Sequence, residues 1–290
     1  MTARPIALTR ANLEKFPLPA VLEATKDDHG KLLVVAGSRN TPGSAAITAT
    51  AAMRAGCGKV TIATVESMAP HIALAVPEAL VLGLAETREG VFARSAIAII
   101  AEHAARVDAA VVGPGMEQSE LCSRLAKSLL GLGLERLVLD AAMLYALPPH
   151  DDTARESTTP ILLPHNREMA ALLDCEPEDV DSDPLGAGRR CAAKYGALTL
   201  AKGPQSHVVR PDGRAWKYNG GGPGLGVSGS GDALAGILGG LLARGADPLT
   251  GLLWAVWLHG QAGTVLSRKV GKVGFLAREI SAEIPALLPG

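Results

Sequence analysis

The residues best suited to chemistry fall in one stretch, Gly222-Pro-Gly-Leu-Gly-Val-Ser-Gly-Ser-Gly231-Asp232-Ala-Leu-Ala-Gly236. Glycines accept positive φ and let a ligand come close to the backbone. Ser228-Gly-Ser-Gly231 runs directly into an apolar helical pattern. The first N–H groups of a helix have no internal partner, and the helix dipole favours an anion beside them. Phosphate is the natural guest. Asp232 falls at the start of that helix, where a carboxylate can accept the proton of a hydroxyl as it is phosphorylated. Helix capping accounts for an Asp, but it does not call for so many glycines in the dozen residues before it. No GxxxxGK[ST] loop occurs, and Gly37-Ser38 does not continue into GxGxxG, so neither a Walker A loop nor a Rossmann turn is indicated.

The elements that must position this stretch alternate between strand and helix. Lys31–Ala36 reads as a buried strand, Ser44–Ala55 as an Ala-rich helix opened by Thr41-Pro42-Gly43, and Lys59–Thr64 as the next strand. Further strands are expected at Ala79–Leu84, Asp108–Val112, Arg136–Leu139, Pro160–Leu163 and Leu198–Ala201. Helices are expected at Val91–His103, Ser119–Leu130, Arg167–Leu173 and Gly186–Tyr195. Pro211-Asp212-Gly213 between His207–Arg210 and Ala215–Tyr218 signals a hairpin. Three helices follow, at Asp232–Arg244, Pro248–Ser267 and Leu276–Leu287. This alternation implies an α/β fold with a mostly parallel sheet and helices on both faces. Ligands in such folds sit beyond the C-terminal ends of the strands. Those ends carry Gly37-Ser38, Gly113-Pro-Gly115, Asp140, Pro164-His165 and Lys202-Gly203. Pro148–Thr159 is the best loop, but it lies between strands and does not split the chain, so residues 1–290 read as one domain with 1–30 as an N-terminal extension packed on it.

Composition excludes several classes. The 290 residues carry a formal net charge of -1 with no Lys/Arg block, and Trp, Tyr and Phe occur three times each. A nucleic-acid footprint and a base-stacking platform are therefore both missing. Cys57, Cys122, Cys175 and Cys191 show neither CxxC nor zinc spacing and read as reduced, mostly buried thiols. Met1–Leu18 has no apolar h-region, and no uncharged apolar run reaches spanning length, so a cytoplasmic protein is expected. No dedicated metal cage is visible.

Gly229-Ser-Gly-Asp232 before an Ala/Gly-rich helix resembles the anion-hole motif of the ribokinase-like superfamily. Lys31-Leu-Leu-Val-Val-Ala-Gly-Ser38, Pro42-Gly-Ser-Ala-Ala46 and Ala51-Ala-Met-Arg-Ala-Gly56 resemble the opening of the ADP/ATP-dependent NAD(P)H-hydrate dehydratases. Val112-Gly-Pro-Gly115, Leu139-Asp-Ala141, Pro164-His-Asn-Arg-Glu168, Ala201-Lys-Gly203 and Leu258-His-Gly-Gln-Ala-Gly263 continue the match in order. The resemblance implies a ribokinase-like α/β/α sandwich and a repair enzyme. Its substrates would be S-configured hydrates of NADH and NADPH, its phosphoryl donor ADP or ATP, with Mg²⁺ held through phosphates and water. It implies Asp232 as catalytic base and Gly229, Ser230 and Gly231 as the anion hole. Ser44, Ala45, Gly115 and His165 would line the hydrated dinucleotide. Lys202, Gly203, Pro204, Gln205 and Ser206 would hold the adenine nucleotide together with Gly231. It also implies a homo-oligomer, tetrameric in form, and a separate epimerase in the pathway. His259, inside an apolar helix with Trp254 and Trp257, reads as a packing residue.

The sequence departs from the family pattern at Ala142, where a second Asp is usual, at Leu163 for Thr, at Asn166-Arg167 for Pro-Gly, and at Pro204-Gln-Ser206. Two other readings use the same residues. One is a superfamily kinase acting on a sugar, vitamin precursor or thiazole alcohol. The other is a nucleotide-binding regulator without turnover.

Overall fold

The computed structural model describes residues 4–20, 28–150 and 159–289. Part of the N-terminal extension (1–3 and 21–27) and most of the Pro148–Thr159 loop (151–158) lie outside the described residues.

The chain begins with β1 (Ile6–Ala7) and α1 (Arg10–Leu13), then β2 (Lys31–Val35), α2 (Gly43–Arg54), β3 (Lys59–Val65), α3 (Ala69–Ala75) and β4 (Leu80–Leu84). It continues through α4 (Ala96–Ala104), β5 (Ala109–Val112), α5 (Glu120–Leu130), β6 (Leu137–Leu139) and a 3₁₀ turn at Ala141–Ala146. Next come β7 (Ile161–Leu162), α6 (Asn166–Leu173), α7 (Pro177–Ser182), α8 (Pro184–Tyr195) and β8 (Leu198–Ala201). The hairpin β9 (Gln205–Val209) and β10 (Ala215–Asn219) leads to α9 (Ser230–Ala243), α10 (Pro248–Lys269) and α11 (Ala277–Leu287).

Among the described residues, ten strands join one sheet in the order β1-β10-β9-β8-β7-β6-β5-β2-β3-β4. Pairing is parallel throughout except around β9, which runs antiparallel to both neighbours. The central strands are continuous apolar runs because both faces are covered. Along β2, Leu32 and Val34 enter one core cluster while Leu33 and Val35 enter the other. The chain winds outward through β2, β3 and β4, then returns to β5 on the far side of β2. The crevice beyond β2 and β5 is thus the switch point where such folds bind ligands.

Two Ala/Gly-rich helices pack unusually closely on one face. A Cβ on Gly236 of α9 would lie 2.2 Å from the Thr48 carbonyl oxygen of α2, and one on Gly240 would lie 2.4 Å from that of Ala52. Helix α9 is buried almost all round, which accounts for its lack of a polar stripe.

The structure differs from expectation mainly at the edges. The helix expected from Val91 starts at Ala96, because Phe92 pairs with Glu86 and the Ala93 N–H donates to Ala85. Helices α3 and α7, and the two-residue β1, went unanticipated. The described part of the N-terminal extension packs on the sheet edge: β1 pairs with β10, Phe16 meets Trp216 edge-on at 5.9 Å, and Trp254 Nε1 donates to the Phe16 carbonyl at 2.6 Å. The four cysteines are free thiols. Among the described residues no helix is long and apolar enough to cross a membrane.

Candidate active site

The strand ends converge on the start of α9. Gly229, at φ 86, occupies the N-cap, a conformation that an L side chain rarely adopts. A Cβ there would also lie 2.9 Å from Ile47 and 3.0 Å from Ala277. The Ser230 N–H is turned back onto the Val227 carbonyl at 3.1 Å. Among the described residues, the amides left without a protein acceptor at this helix start are those of Gly229, Gly231 and Asp232. These three amides are free to receive an anion, with the Asp232 amide available where that of Ser230 is not.

Asp232 sits in the first turn of α9, half-buried. Burial lifts its carboxyl above the ordinary carboxylate range. The nearby Ser44 hydroxyl pulls it back, the Asp140 charge lifts it again, and Lys202 lowers it. A base held somewhat above its usual range is suited to accepting a proton near neutrality. Ser44 comes from the first turn of α2 at the switch crevice. It is held there by Gly115, whose φ of 64 turns the loop after β5 against it: a Cβ on Gly115 would lie 2.5 Å from Ser44 Cβ. Thr41 Oγ1 donates to the Gly115 carbonyl at 2.6 Å and ties the two loops together.

Lys202, at the end of β8, is 19% exposed and bonds Asp140 Oδ1 at 2.9 Å, with Glu168 Oε2 4.0 Å away. Burial pulls the ammonium down, but Asp140, Glu168 and Asp232 together hold it above its usual value. Glu168 is raised by burial, with Lys202 opposing and Asp140 reinforcing. His165 caps α6: its Nδ1 accepts from the Arg167 and Glu168 amides at 3.1 and 3.3 Å, while Glu168 Oε2 accepts from the His165 amide at 2.8 Å. Accepting through Nδ1 places the ring proton on Nε2, which lies 3.4 Å from Glu168 Oε1. Burial, then Lys202, lowers the His165 pKa, so the ring is neutral at physiological pH.

A cavity of about 910 Å³ opens beside these groups, lined by Lys202, Gly203, Pro204, Ser206, the Gly-rich loop and the apolar walls Leu225, Leu234 and Val256. Its size suits a nucleotide. Two expected residues stand elsewhere. The Ala45 side chain is fully buried in the core, because one step along a helix turns a side chain about 100° away from Ser44. Gln205 lines a smaller cavity of about 240 Å³ on the other side of the Lys202–Pro204 turn. His259, expected as a packing residue, is also part of the large cavity's wall and lies 3.0 Å from Ser230 Oγ. Asp140 is expected at a strand end with no role of its own, and Glu168 is not among the expected site residues. Asp140's place at a strand end was the available signal. Glu168 could have been found as the acidic residue three after a helix-capping position.

A family model described as NAD(P)H-hydrate dehydratase matches residues 32–286. The chain belongs to the NAD(P)H-hydrate dehydratase family. It is 44% identical over 281 residues to the ADP-dependent (S)-NAD(P)H-hydrate dehydratase of Xanthomonas campestris pv. campestris, covering 97% of this chain and 95% of that one. It is 32% identical to the bifunctional NAD(P)H-hydrate repair enzyme of Moorella thermoacetica, covering 90% of this chain and 49% of that one, so it spans about half of that relative's length. The crystal structure of the ADP/ATP-dependent NAD(P)H-hydrate dehydratase from Bacillus subtilis, co-crystallized with ATP/Mg²⁺, superposes with a TM-score of 0.84 at 26% identity, covering 98% and 97% of the two chains. The NAD(P)H-hydrate dehydratase fold is the ribokinase-like α/β/α sandwich, as the sequence implied.

Proposed function

We propose that this chain dehydrates the S-configured hydrates of NADH and NADPH, with ADP or ATP as phosphoryl donor. One observation carries the assignment of roles: Asp232, with the Ser44 hydroxyl nearby, stands beside unpaired helix-start amides, next to Ser230 and Gly231 in the wall of a nucleotide-sized cavity. The nucleotide occupies that cavity, against Lys202–Pro204 and Ser206. The hydrated ring enters from the Ser44–Gly115 crevice, with His165 in the wall of the neighbouring cavity. Asp232 takes the hydroxyl proton as the ring oxygen forms its bond to the terminal phosphorus and the bridging P–O bond of the nucleotide breaks. The amides of Gly229, Gly231 and Asp232 receive the phosphoryl oxygens and stabilise the charge as it redistributes. The ring C–O bond then breaks, and inorganic phosphate leaves. The ring nitrogen supplies the electron pair, and loss of a proton from the adjacent carbon restores the double bond.

Among the described residues no three His, Cys, Asp or Glu side chains gather into a metal cage. Asp140 Oδ2 lies 4.0 Å from where a side chain on Gly231 would begin. A hard carboxylate oxygen beside the phosphate loop fits Mg²⁺ held mainly by phosphate oxygens and water. When bound, the ion would neutralise phosphate charge, with Asp140 as its protein contact. We also infer a homo-oligomer of tetrameric form and a cytoplasmic location.

The test is incubation with S-hydrated NADH, Mg²⁺ and ADP or ATP, following the absorbance of reduced nicotinamide. A nucleotide-dependent rise is expected, and Asp232→Ala should lower it by roughly 10²–10⁴-fold, the range for a general base. No rise with either nucleotide, from folded protein that binds ADP, refutes the dehydratase and leaves a superfamily kinase acting on another alcohol.

A further inference from the structure

His259 approaches α9 from α10, and its Nε2 lies 3.0 Å from Ser230 Oγ and 3.1 Å from the Ser230 carbonyl oxygen. A carbonyl oxygen can only accept. An unprotonated Nε2 at 3.1 Å would set two lone pairs against each other, so the proton belongs on Nε2. That N–H is then shared between the Ser230 carbonyl and Ser230 Oγ, and the hydroxyl acts as acceptor toward the ring. Its own proton is therefore free to be given elsewhere. Ser230 and His259 both line the large cavity, and the Ser230 amide is already committed to Val227 at 3.1 Å.

We propose that His259 is a positioning residue which, as a neutral Nε2–H donor, orients Ser230 so that its hydroxyl, in place of its amide, donates to the outer phosphate of the bound nucleotide. Burial drives the His259 pKa down to about 4, so the ring brings no charge to the site at neutral pH. A cation at this place would draw the phosphate away from the helix-start amides. A neutral donor sets the hydroxyl without competing for the anion. Gln presents an N–H at nearly the position of Nε2 and should replace His259, whereas Ala should not.

The proposal deepens the reading of the cavity as the phosphoryl-donor site, and it is tested without the acceptor substrate. ADP and AMP affinities would be measured by calorimetry for the wild type and for Ser230→Ala, Ser230→Thr, His259→Ala and His259→Gln, with thermal unfolding as a fold control. A hydrogen bond to a charged partner is worth roughly 1.5–3 kcal/mol, so Ser230→Ala should weaken ADP by about 10–100-fold and AMP by less than about threefold. His259→Ala should weaken ADP to a similar degree. The double variant should be no worse than either single one, and His259→Gln and Ser230→Thr should stay within about threefold of wild type. Turnover should fall alongside ADP affinity in the two Ala variants and recover in the conservative ones. Equal loss of ADP and AMP in His259→Ala would show a direct contact with the nucleoside and overturn the positioning role. Unchanged ADP affinity in Ser230→Ala would overturn the hydroxyl's role. Should His259→Ala fail to fold, His259→Gln decides: a loss of ADP affinity as large as in Ser230→Ala refutes the proposal. If the wild type binds ADP but does not dehydrate the hydrate, the dehydratase reading fails while these affinities still decide this one.

Discussion

Replacing Lys202 with Met should cost the protein stability in a pH-dependent way. Among the described residues, Lys202 is the one cation bonded within the Asp140–Glu168–Asp232 group, at 2.9 Å from Asp140 and 4.0 Å from Glu168. At an effective dielectric constant near 20, unit charges 4 Å apart attract by about 4 kcal/mol, and the Asp140 contact is closer. Removing Lys202 also removes its own desolvation cost. Breaking one side of a buried pair typically costs about 3–5 kcal/mol, and the 19% exposure of Lys202 points to the lower end. A loss of about 3 kcal/mol at pH 7.5 should lower Tm by roughly 6 °C in a chain of this size. Burial first, and the Asp140 charge with it, already raises Glu168 and Asp232, and Lys202 restrains both. Without it they rise further. A carboxyl that titrates higher folded than unfolded takes up a proton on folding, so its contribution to stability falls as pH climbs from the unfolded pKa through the folded one. The Lys202→Met deficit should therefore be widest near neutrality and shrink as pH falls toward 5. Urea unfolding at pH 7.5 and 5 measures it. A deficit below about 0.5 kcal/mol at pH 7.5, or one that does not change with pH, would refute the electrostatic account of the cluster.

Ser44→Ala removes the hydroxyl that lowers the Asp232 pKa, so the acid limb of the kcat profile should move to higher pH while the alkaline side is unchanged. A pH–rate series checks it. Gly236→Ala places a methyl 2.2 Å from the Thr48 carbonyl oxygen; overpacking of this kind costs about 1–3 kcal/mol, and because it parts α2 from α9 it should lower kcat as well as Tm. Chelation of Mg²⁺ should abolish turnover without shifting the melting curve of the nucleotide-free protein, because no group of three ligating side chains among the described residues depends on a metal; Mg²⁺ addition should restore the rate.

The central sheet was legible in the sequence because its buried strands are short, largely apolar runs, most of them stopped by Gly, Pro or Asp. Asp232 and its glycines were legible for a related reason, since a helix start is a local feature and its free amides follow from geometry alone. Elements at the periphery were not. Phe92 joins a bridge to Glu86 where the local pattern favours helix, and a two-residue strand such as β1 has no period to detect. Asp140, Glu168 and Lys202 meet only because β6, β7 and β8 end side by side, which no spacing along the chain records. The side chains of Ala45 and Gln205 lie outside the lining of the large cavity. Each neighbours a residue that does face the site, Ser44 and Ser206, and one step along a helix or a strand turns the side chain away.

The contact of α2 with α9 bears on when, during synthesis, this protein can begin to work. Ser44 and Asp232 stand at the heads of two helices made near opposite ends of the described chain, and the spacing between them is set by backbone lying against backbone. Until α9 has been synthesised, α2 shows its Ala-rich face to whatever is nearby, and the sheet lacks its cover on that side. An unfinished polypeptide should therefore have no partial activity and should be drawn to chaperones and to other nascent copies. Completion of α9 and the helices after it then closes the core and assembles the site in a single event.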